Sequence, residues 1–211
     1  MKYRILTIGV MVCLVSIALS IFFHIKEYMS YNNLYKIYST NFSILEDEIL
    51  TINNGTLDLM EKVNENQIID ISDASTIINN LNLLDILQKN YSIMIQEYYT
   101  NIGSDFKNIN NGHLDYSNGI TFYHDISSYI DALHIEQTSA INNFILSEND
   151  IKKGRTVISI LNSVSELYSP FQEERFFKLS ERDKMRQRVI IQIDLSQKLI
   201  EINQKALDLL K

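Results

Sequence analysis

Between residues 28 and 52 the large side chains keep a fixed spacing. Tyr28, Tyr31, Tyr35, Tyr38, Phe42, Leu45, Ile49 and Ile52 are separated alternately by three and four positions without a miss. A mean step of about 3.5 belongs to a helix that packs along one seam, as in a coiled coil or a bundle. A strand, with its period of two, would throw these residues onto both faces. The only proline is Pro170, and six glycines are few for 211 residues, so little in the chain forces a helix to stop.

The seam follows directly on "ILTIGVMVCLVSIALSIFFHI", residues 5–25, which contain no Asp, Glu, Lys or Arg. Twenty-one helical residues span about 30 Å, the thickness of one hydrocarbon core. Lys2 and Arg4 precede the run, and the positive-inside tendency puts them in the cytosol. The expected organisation is a cytosolic N-terminus at 1–4, a transmembrane signal-anchor at 5–25 and an extracytoplasmic body at 26–211. A cleaved signal peptide is the rival, with Ala18 and Ser20 as a weak cleavage site. Apolarity running on through Ile21, Phe22, Phe23 and Ile25 speaks against it.

No Pro lies between Ile5 and Ile52, so anchor and seam are expected to form one helix, stopped by Asn53, Asn54 and Gly55. A second helical region is expected from Thr56 to about Thr100. It is broken at "NENQIIDISD", residues 64–73, with Ser72 or Asp73 as the restarting cap. Residues 101–119, rich in Asn and Gly, are expected to form a long loop. From Ile120 a stripe through Tyr123, Ile126, Ile130 and Leu133 predicts a third helix, and Ser147 is placed to cap another. Ser169 and Pro170 are expected to open the last helix, running to Lys211 with Phe176, Leu179, Ile190 and Leu207 on its apolar face. The predicted fold class is thus all-α: an N-terminal transmembrane helix continuing into an antiparallel bundle of four or five long helices.

Charge narrows the partners. Beyond residue 25 there are 17 basic and 26 acidic residues. Nucleic-acid phosphates would repel such a body, so no nucleic-acid partner is expected. The single cysteine, Cys13, excludes an internal disulfide and a cysteine-based zinc site.

Candidate chemistry is sparse. "EDE" at 46–48 puts three carboxylates on diverging directions of a helix, which suits a solvated face flanking Leu45 and Ile49. Ser39 and Glu46, one position off the seam, are accordingly expected to tolerate substitution, as is Asn33. Asp131 and His134 share a face at i, i+3, but no second Glu-x-x-His completes a di-iron set. His113, Asp115, His124 and Asp125 lie close enough in sequence to gather a weak ion. There is no Ser-x-x-Lys, Gly-x-Ser-x-Gly or phosphate-binding loop motif. "ERFFKLSERDKMRQR", 174–188, is expected to be an ion-paired surface.

The functional expectation is a single-pass, membrane-anchored extracytoplasmic bundle that binds rather than catalyses, as a sensory or accessory interaction module. Its partners would be the lipid bilayer through residues 5–25 and a protein or a second copy, with no cofactor. In architecture alone it resembles the helical ectodomains of bacterial chemoreceptors. The alternatives are a membrane-tethered enzyme or metal-binding protein with a site near residues 113–134, or an envelope or secretion component.

Overall fold

One helix, α1, runs from Lys2 to Asn66, 65 residues, or about 98 Å at 1.5 Å per residue. The rest of the chain folds against its second half. The computed structural model describes the backbone of residues 2–102, 121–137 and 143–208. Side chains are described for these residues except 2–15, 18, 99–102, 134–137, 143, 191–197 and 199–200. After α1 come α2 (Ile71–Ile102), α3 (Phe122–Gln137), α4 (Glu148–Tyr168), α5 (Glu174–Phe177) and α6 (Glu181–Leu207), with a 3-10 turn at Ser169–Gln172 before α5. Two three-residue strands, β1 (Ile68–Asp70) and β2 (Asn143–Ile145), pair antiparallel with Ile69 opposite Phe144.

The asparagines at 53 and 54 do not end α1. Asn53 is fully buried, and its amide donates to the Leu161 carbonyl and to Ser165 Oγ, both at 2.8 Å, tying α1 to α4. An asparagine whose amide finds such partners loses its reason to favour a turn. The stop comes instead at Gln67, whose φ of 56° is left-handed. The β1–β2 ribbon holds it there, since Leu146 N–H donates to the Gln67 carbonyl at 2.8 Å. The break expected between 64 and 73 is thus present, but its restarting cap is Asp70, whose carboxylate accepts from Asp73 N–H at 2.7 Å. Asp73 pairs across to Lys62 of α1 at 3.2 Å.

Ser147 caps α4 as expected, in a reciprocal box with Asp150. Pro170 does not open the last helix. It sits in the 3-10 turn, and α6 starts only after Ser180, whose hydroxyl accepts from Asp183 N–H at 3.2 Å. Asn203 of α6 in turn accepts from Thr121 and Phe122 N–H at the start of α3, at 3.3 and 3.2 Å.

Cross-helix contacts fix the directions. Tyr98 lies against Tyr35 and Tyr38 while Asp73 meets Lys62, so α2 runs antiparallel to α1. Asn53 meets Leu161 while Asn64 faces Gly154, so α4 does the same. Phe42, Ile49, Ile77, Leu84, Ile126 and Val157 are among the fully buried residues of the resulting core. The described residues form an all-α bundle of seven helical segments, the 3-10 turn included.

The membrane expectations are overturned. Among the described residues no helix is long and apolar enough to cross a membrane. The described part of the 5–25 segment, Ser16 to Ile25, spans only about 15 Å, half a hydrocarbon core. The remainder of that segment lies outside the described side chains. A transmembrane signal-anchor, a lipid-bilayer partner, a single-pass cell-membrane localisation and a membrane-anchored function, sensory or enzymatic, are therefore not supported. The expected loop at 101–119 lies almost wholly outside the described residues.

Candidate functional site

Two places on the molecule hold more than routine packing. The first is a polar cluster inside the bundle. Ser39, Ser43 and Glu46 recur at i, i+4 and i+7 along α1, so they share one stripe beside the seam. Arg188 of α6 inserts against that stripe and is completely buried. Its Nε and Nη2 donate to the two oxygens of Glu46, each at 2.7 Å. Nη1 donates to Ser39 Oγ at 3.1 Å and Nη2 to Ser43 Oγ at 2.9 Å.

Aromatic rings enclose the guanidinium. Phe176, Phe171 and Phe42 have their centroids 4.9, 5.7 and 5.6 Å from Arg188 Cζ. Faces and edges at such distances favour a cation stripped of water. The 3-10 turn and α5 thereby acquire a purpose: their short, bent path brings Phe171 and Phe176 over the charge. Tyr91 of α2 donates to Glu46 Oε1 at 2.9 Å, and Tyr168 of α4 donates to Gln88 Oε1 at 2.6 Å. The two tyrosine rings meet edge to face at 5.7 Å. Helices α1, α2, α4 and α6 thus meet in one polar and aromatic centre.

Burial dominates its electrostatics. Desolvation raises the Glu46 carboxyl above its ordinary value even against the guanidinium that pulls it down. Burial likewise raises the phenols of Tyr91 and Tyr168, and the nearby Glu46 charge adds to the effect at Tyr91. With Glu46 and Arg188 both almost fully buried, the cluster offers a substrate no approach. What it can do is set register, because no other placement of α6 against α1 would satisfy both charges.

The second place is the first half of α1. Every described side chain from Ser16 to Asn33 is exposed. At its base an open groove of about 910 Å³ is lined by Ile21, Ile25, Tyr28 and Tyr31 of α1, with Glu181 and Arg182 from the start of α6.

The seam residues divide between the two regions. Tyr35, Phe42 and Ile49 are buried, and Tyr38, Leu45 and Ile52 are half-buried in the bundle. Tyr28 and Tyr31 remain 72% and 43% exposed. Ser39 and Glu46, expected off the core face, are buried in it. The face of α1 is wider than a two-helix seam because α2, α4 and α6 all pack on it. The polar stripe at 39, 43 and 46, next to an unbroken apolar seam, was the available signal.

Other candidates stay apart. Asp131 and His124 are exposed and Asp125 is buried. His134, His113 and Asp115 lie outside the described side chains. Among the described residues no three His, Cys, Asp or Glu gather at metal-binding distance. The stretch 174–188 carries surface pairs such as Lys178–Glu174 at 2.7 Å, yet it also supplies the buried Arg188. No family model, curated protein or solved structure matches the chain.

Proposed function

We propose that this chain is a non-catalytic helical module that binds a protein partner through the exposed first half of α1. One observation carries the proposal: large apolar side chains, Ile17, Ile21, Phe22, Ile25, Tyr28 and Tyr31 among them, stand exposed along one continuous helix. Contiguous apolar surface of this kind marks a face meant to be covered. The base of this arm is stiff. From Leu34 onward α1 is packed on its seam, and the Glu46–Arg188 pair clamps α6 beside it. A rigid root presents the arm at a defined angle, which lowers the ordering cost of docking.

Site-specific photo-crosslinking in cells tests this. A photoreactive phenylalanine analogue at Phe22 or Ile25 should form protein adducts, whereas the same probe at exposed Ile86 of α2 should form few. Absence of protein adducts at both arm positions would overturn the proposal.

A further inference from the structure

We infer that the partner of the α1 arm is a second copy of this chain, joined arm to arm along the upstream continuation of the seam. This rests on the protein-binding role of the arm and names its partner. Traced back from Tyr35 with the same alternation of four and three, the seam runs through Tyr31, Tyr28, His24, Ile21 and Ile17. Its phase does not change where the bundle ends. Within the chain this seam already forms a helix–helix interface, with Tyr35 and Tyr38 packed on Tyr98 of α2 at 6.1 and 5.3 Å. Upstream of Leu34 the same surface stands exposed, and the groove beside it follows the seam side of the helix.

A second α1 fits that surface for three reasons. A two-fold pairing needs one self-complementary patch, and a heptad seam is self-complementary. The arm offers little charge to recruit an oppositely charged partner: from Ser16 to Asn33 it carries only Lys26 and Glu27 besides His24. Area suffices as well. At the exposures found, Ile17, Ile21, Ile25, Tyr28 and Tyr31 from two arms would bury roughly 1,000 Å², the lower bound for a specific interface. His24, the one polar seam position, would meet its counterpart and discourage shifted registers, as single polar core residues do in coiled coils. Phe23 and Met29 lie on other sides of the helix and stay outside the seam.

Sedimentation equilibrium of the full chain over a hundredfold concentration range tests this. A reversible monomer–dimer equilibrium is expected. Ile21→Asn with Tyr28→Asn should weaken it at least tenfold with helical content retained, whereas Phe23→Ser with Met29→Ser should leave it within about twofold. Equal weakening by both pairs would overturn the seam in favour of unspecific apolar association. A chain that stays monomeric would overturn the second copy, with three diagnostic forms. Photo-adducts of the arm to a different protein would leave the binding role standing. Adducts to residues 103–120 of the same chain would show internal cover. Co-sedimentation with neutral phosphatidylcholine vesicles, without protein adducts, would remove both the partner and the binding role.

Discussion

At the scale of single residues the centre of the molecule is an ion pair that a sequence hides. Glu46 sits in "EDE", where three successive acids look like surface, and Arg188 in a run of charges that looks the same. Neither charge announces burial, because burial depends on which helix lies opposite and not on the neighbours in sequence. Desolvation raises the Glu46 carboxyl despite the bidentate guanidinium, so taking the pair out of water costs more than their attraction returns. A group with a raised folded pKa stabilises most below its unfolded pKa and loses that contribution as pH rises through the folded one. The pair is therefore an instrument of register and a poor source of stability at neutral pH. Arg188→Met alone should cost about 3–5 kcal/mol, because it strands a buried carboxylate. Adding Glu46→Met should restore most of that loss. Urea unfolding of the two variants is the measurement, and additive losses would contradict the account.

At the scale of elements, legibility followed periodicity. The seam from Tyr35 to Ile52, the break near Gln67 and the Ser147 cap were readable because each rests on local spacing or local hydrogen bonding. The continuation of α1 through Asn53–Asn54–Gly55 was not, because the amide of Asn53 is satisfied by α4, more than a hundred residues away. The same holds for Gly154. A sequence suggests a weak turn there, whereas the structure shows close approach: a Cβ on Gly154 would come within 2.7 Å of Asn64 Oδ1. That oxygen is itself buried without a hydrogen-bond partner, so Asn64 is poorly anchored as well as obstructive. Alanine in a helix is favoured over glycine by about 1 kcal/mol. Gly154→Ala should show this gain only when Asn64→Ala has cleared the space, and should be neutral or destabilising alone. A double-mutant cycle reads the difference. Equal effects in both backgrounds would mean that the two helices part freely at this point.

At the scale of the whole molecule, α1 is one helix in two environments, and its stability should divide accordingly. From Leu34 to Asn66 its amides are covered by packing with α2, α4 and α6. Opening them requires the bundle to open, so they should exchange hydrogen at the rate of global unfolding. From Ser16 to Asn33 the backbone is helical but every described side chain is exposed, so only local helix propensity opposes opening. An isolated helix of this length is marginal in water, even when one end is nucleated by a packed continuation. In dilute solution the arm amides should therefore exchange orders of magnitude faster than those from Phe42 to Val63, with the change falling near Leu34. Raising protein concentration should slow exchange in the arm alone, since pairing of arms stabilises it by mass action and leaves the packed half unaltered. Hydrogen exchange followed by mass spectrometry at two concentrations tests both statements. A uniform, concentration-independent rate along α1 would mean that the arm is covered within its own chain.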